Sequence, residues 1–138
     1  MRKEPMAFIL IVEDDEVLLG LLSSLLRREG HDVREAASAL AALAILDTEK
    51  GRCDLVLTDF EMKPMNGLQL VNRVVQKSPT MKILFMSGYS TAAHAIEERF
   101  GPETLLFKPF PAQELVRKIN KALSSRTRRA RLSAAGSA

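Results

Sequence analysis

Cys53 is the only cysteine among 138 residues, so no disulfide can close within the chain, and the expected setting is a reducing cytoplasm. It begins an apolar segment, where it reads as a small buried hydrophobe rather than a reactive thiol. No apolar run approaches the roughly 20 residues that a membrane-spanning helix needs, which argues against a membrane partner. The basic start Met1-Arg2-Lys3 leads into an apolar run that meets Glu13-Asp14-Asp15 almost at once. It has neither a long apolar core nor a small-residue cleavage site, so no signal peptide is read. His31 and His94 each lack a second histidine at metal-binding spacing and are expected on the surface. No Gly-x-Gly-x-x-Gly or Walker-type glycine loop follows the first apolar run, so a dinucleotide or nucleoside triphosphate has no motif behind it. Residues 124–138 contain four arginines, no acid and no aromatic residue. Without stacking side chains or a recognition helix, they read as a flexible basic tail and argue against nucleic acid as a partner.

What is present is an ordinary globular composition, 46% hydrophobic and 27% charged, in a length that suits one domain. The formal net charge of +3 is a property of the tail. The other 123 residues hold 16 basic and 17 acidic side chains, a net of −1. The expected division is therefore a folded domain over 1–123 and a tail over 124–138.

Five strand–helix units follow one another with short connections and no internal repeat. Ala7–Val12 and Leu55–Thr58 are continuous apolar runs bounded by polar residues, the pattern of strands buried on both faces. His31–Glu35 is less apolar and suits an edge strand. Lys82–Met86 and Thr104–Phe107 complete the set. Between them, Leu18, Leu22 and Leu25, with Leu21 and Leu26 alongside, predict a first helix, which Gly30 stops. Ser38 caps a second helix whose Leu40, Leu43 and Ala44 share a face. A third helix over 67–77 turns Leu70, Val71 and Val74 inward. Ser90 caps a fourth on Ala93, Ile96 and Phe100, and Pro111 opens a fifth on Leu115, Ile119 and Leu123. Alternating strands and helices predict an α/β protein with a parallel sheet covered on both faces. At this level both the Rossmann and the flavodoxin-like strand orders are open.

Four strands end on a polar group: Glu13-Asp14, Asp59, Ser87 and Lys108. In a parallel sheet such ends share one edge, where open α/β sheets bind ligands. Three carboxylates in one place need a counter-charge. Lys108 supplies one unit, and an all-oxygen, partly hydrated site suits Mg²⁺ for the rest. A carboxylate beside Mg²⁺, a lysine and a hydroxyl fits phosphoryl transfer through an aspartyl phosphate.

From Ala7 to Leu123 the chain resembles the receiver domain of two-component response regulators. The matching residues are Ile11-Val12-Glu13-Asp14-Asp15, Leu57-Thr58-Asp59, Met65-Asn66-Gly67, Ser87-Gly88 and Lys108-Pro109-Phe110. The phrase Phe85-Met86-Ser87-Gly88-Tyr89-Ser90 also resembles receivers attached to hybrid sensor kinases. The resemblance implies a flavodoxin-like fold with strand order 2-1-3-4-5. It implies Asp59 as phosphoacceptor, and Mg²⁺ held by Asp14 and Asp59, by Glu13 through water and by the backbone carbonyl of Glu61. Lys108 and Ser87 would hold phosphoryl oxygens, the Lys108–Pro109 peptide would be cis, and Asp15 would cap the first helix. Lys63 stands where the family usually has proline, Leu105 where it usually has an aromatic switch residue, and the segment from Asp59 to Lys108 is short. Tyr89 is the nearest aromatic to act in place of Leu105, so the loop 87–91 is expected to carry the conformational change.

The reading is a receiver that takes a phosphoryl group from a sensor histidine kinase or a histidine phosphotransfer protein and signals by a change in shape. It catalyses only its own phosphorylation and dephosphorylation, and a phosphorylation-dependent dimer is left open. Too few residues follow Leu123 for an output domain, so the expectation is a stand-alone regulator or the receiver of a larger kinase. The rivals are a receiver-like interaction module that is never phosphorylated and a Mg²⁺-dependent phosphohydrolase with Glu61 as general acid–base.

Overall fold

The computed structural model describes residues 6–49, 51–88 and 91–125. The expected fourth-helix cap, Ser90, and the arginines of the tail lie outside them. Five parallel strands form one sheet: β1 (Phe8–Val12), β2 (Asp32–Ala36), β3 (Leu55–Asp59), β4 (Lys82–Ser87) and β5 (Leu105–Phe107). Their order is β2-β1-β3-β4-β5, so the flavodoxin-like alternative holds. Helices α1 (Glu16–Arg28), α2 (Ala39–Glu49), α3 (Gly67–Lys77), α4 (Thr91–Phe100) and α5 (Ala112–Ser124) follow the strands in turn. The short Asp59–Lys108 segment still leaves α4 10 residues long.

All five residues of β1 and of β3 are buried, because helices cover both faces of the sheet. Alternate side chains serve alternate cores. Leu10, Val12, Val56 and Phe85 pack with Ala42, Leu70, Val74 and Ile96 from α2, α3 and α4. Ile9, Ile11, Leu57 and Met86 pack with Leu19, Leu22, Leu26, Leu115 and Ile119 from α1 and α5.

The helix ends follow local chemistry. Asp15 accepts hydrogen bonds from Val17 N (3.0 Å) and Leu18 N (3.2 Å), capping α1 as expected. Ser38 Oγ accepts from Ala41 N at 3.1 Å at the start of α2. Asn66 and Gln69 exchange side-chain and backbone bonds in a capping box at α3. Asp15→Ala should cost about 0.5–2 kcal/mol, read as a lower urea midpoint with an unchanged slope; an unmoved midpoint would remove the cap from the stability account.

Three expectations about faces need correction. The buried stripe of α1 is Leu19, Leu22 and Leu26, while Leu21 is 64% exposed and Leu18 and Leu25 are only half-buried. In α2, Ala39 and Ala42 are buried and Leu40 is 60% exposed. Both helices are apolar around much of their circumference, so periodicity does not set their rotation; in α2 the small alanines are what turn to the sheet. His31, expected on the surface, is 6% exposed. It follows Gly30, whose φ of 99° turns the chain straight into the sheet, and burial lowers its pKa against the opposing pull of Glu29. Cys53, read as a buried small hydrophobe, is only partly buried, packed against the core of α2, α3 and α4 just before β3, and burial pushes its thiol up to about 11.

Candidate functional site

Strand register decides which end groups meet. Val12 lies opposite Thr58, so the next residues, Glu13 and Asp59, leave the sheet side by side. Asp59 pairs with Met86 and Ser87 with Phe107, which brings Ser87 and Lys108 to the same edge. Backbone bonds hold these exits: Phe60 N–H donates to Met86 O at 2.8 Å and Lys108 N–H to Ser87 O at 2.9 Å. The Lys108–Pro109 peptide is cis, as the resemblance implies; so is Lys63–Pro64.

Lys108 Nζ donates to Glu13 Oε1 at 3.1 Å and lies 3.2 Å from Asp59 Oδ1. Glu13 and Asp59 are both buried, whereas Asp14 is exposed at the rim. The second oxygen of Glu13 accepts the Asp15 N–H at 3.0 Å, so both its oxygens are engaged. Asp59 Oδ1 is also buried, yet beyond the ion-pair contact it accepts no hydrogen bond. Burial raises the Asp59 carboxyl from 3.8 to about 6, the Glu13 carboxylate pushes the same way, and Lys108 opposes both. Burial works against the Lys108 ammonium, but Asp59 and Glu13 outweigh it and hold its pKa above the ordinary value.

One carboxylate oxygen from each of Glu13, Asp14 and Asp59 lies within 4.8 Å of the others. Three such acids against one lysine leave an excess of negative charge, and an under-bonded buried oxygen faces it. This donor set fits a small hard cation, Mg²⁺ before any softer metal.

The loop after β3 is folded tightly against the strand end. Gly67 N–H donates to Phe60 O at 2.9 Å. A Cβ on Gly67 would run into the Asp59 carbonyl oxygen and stand 2.9 Å from Phe60 Cα, so the residue must be glycine for the loop to close.

Ser87 is fully buried, and its hydroxyl reaches Glu61 Oε2 at 2.7 Å. That side-chain contact was not legible in the sequence, where Glu61 is expected to offer its backbone carbonyl to the metal or, in the phosphohydrolase rival, its carboxylate as general acid–base. A carboxylate two residues beyond a strand-end aspartate carries no motif of its own. Leu105 is 2% exposed and already faces the core of α2, α3 and α4. Tyr89 lies outside the described residues. The sequence therefore placed Glu13, Asp14, Asp59, Ser87 and Lys108 at one edge, and the structure brings them together there.

Similar proteins identify the family. The family model for the response regulator receiver domain matches residues 9–120. The chain is 37% identical over 123 residues to the DNA-binding transcriptional regulator NtrC of Azospirillum brasilense, covering 88% of this chain and 25% of that protein. It is 35% identical over 122 residues to the sensor kinase CckA of Brucella abortus, covering 85% of this chain and 12% of the kinase. The chain thus spans a quarter or less of these relatives. The crystal structure of the response regulator TrrA from Thermotoga maritima, in complex with Mg²⁺ and BeF, superposes with a TM-score of 0.75 at 29% identity, covering 86% of this chain and all of that one. The chain belongs to the receiver domains of response regulators, the signalling modules of two-component systems.

Proposed function

We propose that Asp59 accepts a phosphoryl group, in the cytoplasm, from the phosphohistidine of a sensor histidine kinase or a histidine phosphotransfer protein. The domain would work over residues 1–123, with 124–138 as a basic tail. A carboxylate oxygen of Asp59 forms the new bond to phosphorus as the phosphorus–nitrogen bond breaks, and the electron pair leaves with the imidazole. Lys108, already against Asp59, balances charge on the transferred oxygens, and the Ser87 hydroxyl donates to one of them. Mg²⁺ held by Glu13, Asp14, Asp59 and the Glu61 carbonyl would supply further positive charge when bound. The site acts on its own carboxylate, so the domain is a substrate of its own chemistry rather than an enzyme with a separate one.

The observation that carries this reading is the Lys108 ammonium placed 3.1 and 3.2 Å from two buried carboxylates, one of them under-bonded. The phosphohydrolase rival would use Glu61 as general acid–base, and turnover of a generic phosphoester by the purified protein would favour it; in the structure Glu61 Oε2 accepts the Ser87 hydroxyl. Incubation with Mg²⁺ and phosphoramidate, followed by intact mass and peptide mapping, tests the proposal. One phosphoryl mass on Asp59, which does not form when a chelator is present from the start, is expected; none, or one on another residue, would overturn it.

Asp14→Asn should lower Mg²⁺ affinity by roughly tenfold or more, since each charge removed weakens a hard-cation site. Its exposed position predicts an unchanged melting temperature without metal. Undiminished affinity would remove Asp14 from the site.

With Leu105 buried before any signal, strand β5 has little room to change. Addition of Mg²⁺ and beryllofluoride should shift backbone amides at 87–91 more than those at 105–107. The reverse pattern would return the switch to Leu105.

A further inference from the structure

The Ser87 hydroxyl has one proton and two acceptors within reach, Glu61 Oε2 at 2.7 Å and the Gly88 carbonyl oxygen at 2.8 Å. The charged acceptor makes the stronger bond. Ser87 is buried, whereas Glu61 is exposed in the loop after β3, so the carboxylate reaches in from solvent to accept the hydroxyl's hydrogen bond. Asp59, two residues earlier at the end of β3, shares no hydrogen bond with Ser87.

We propose that the Glu61 carboxylate holds the Ser87 hydroxyl in the unphosphorylated domain and competes for it with a phosphoryl group on Asp59, so that Glu61 biases the domain against the phosphorylated conformation. This rests on Ser87 as a phosphoryl-binding residue. A hydroxyl donates its single proton to one acceptor at a time, so closing on the phosphoryl oxygen means releasing Glu61. The released carboxylate returns to water at small cost, which makes the restraint modest and reversible. Glu61 is thus a positioning residue acting through Ser87.

The test is the affinity for beryllofluoride at saturating Mg²⁺, read by fluorine NMR, in wild type, Glu61→Ala, Glu61→Gln, Ser87→Ala and the double variant Glu61→Ala/Ser87→Ala. Saturating Mg²⁺ removes any effect of Glu61 on the metal itself. Glu61→Ala should bind roughly three- to tenfold tighter than wild type, the weight of one hydrogen bond to a charged group at a partly solvated site. Glu61→Gln, which keeps an acceptor but not the charge, should fall between them. In the Ser87→Ala background the same alanine change should matter by less than about twofold, because the two residues act as one unit. An equal gain in both backgrounds would mean that Glu61 acts by charge alone, and the proposal would fall. Weaker binding by Glu61→Ala would likewise overturn it. Wild-type protein that takes up no beryllofluoride would instead overturn the phosphoryl-binding reading, and this inference with it.

Discussion

Asp59→Asn is expected to abolish phosphorylation and, in metal-free protein at neutral pH, to make the fold more stable. The first effect follows because an amide oxygen is not a nucleophile for phosphorus at ordinary pH. The second follows from the raised carboxyl. The unfolded chain loses the Asp59 proton near 3.8, whereas the folded protein holds it to about 6. Between those values the folded state binds more protons, so its stability falls as pH rises through the window. Below about 3.8 there is no penalty, and above about 6 it is fully in force, on the order of 2–3 kcal/mol. Asparagine has nearly the same shape and no charge to desolvate beside Glu13. Lys108 then faces one carboxylate, and the pair is balanced.

Urea denaturation of both proteins with a chelator, from pH 4 to pH 7, reads this directly. The variant's advantage should be near zero at the acid end and grow to on the order of 2 kcal/mol at pH 7. A variant less stable than wild type at pH 7 would mean that the site does not penalise the Asp59 charge. Mg²⁺ should stabilise the wild type more than the variant, since metal bound to the native state adds to its stability by mass action.

The second large effect is expected at Gly67, which carries no chemistry. An alanine there collides with the Asp59 carbonyl oxygen and crowds Phe60 Cα at 2.9 Å. Both are backbone atoms, so neither can swing away as a side chain would. The loop or the end of β3 must shift, at a cost of about 3 kcal/mol, at the upper end of ordinary overpacking. The displacement falls on the residue that bears the carboxylate. A misplacement near 1 Å lowers rates on the order of 10²-fold, so phosphorylation from phosphoramidate should slow by that order even in protein cold enough to stay folded. Gly67→Ala with wild-type stability and rate would show that the loop after β3 yields without disturbing Asp59.

These two variants divide the site into parts that were legible in the sequence and parts that were not. Asp59, Glu13, Asp14, Ser87 and Lys108 could be read from the chain because each ends an apolar run, and a parallel sheet gathers such ends at one edge. Strand existence was legible for the same reason, since continuous apolar runs mark strands covered on both faces, whereas their order was implied only by the family resemblance, the residue pattern alone leaving the Rossmann and flavodoxin-like orders open. The cap at Asp15 and the inward face of α3 were equally local, set by residues within one or two turns of each other.

What only the tertiary structure decided depends on contacts between distant segments. Leucines line α1 and α2 so widely that their sequence permits several rotations, and packing on the sheet chose Leu19, Leu22 and Leu26 in one and Ala39 and Ala42 in the other. His31 is buried where the turn at Gly30 carries the chain from α1 into β2, which nothing in its neighbours required. The bond from Ser87 to Glu61 spans 26 residues and exists because register sets the end of β4 beside the loop after β3. Composition and periodicity determine which residues stand at the edge of the sheet. Which of them touch, and which atom of Glu61 enters the site, is set by hydrogen-bonding distances that only the folded chain possesses.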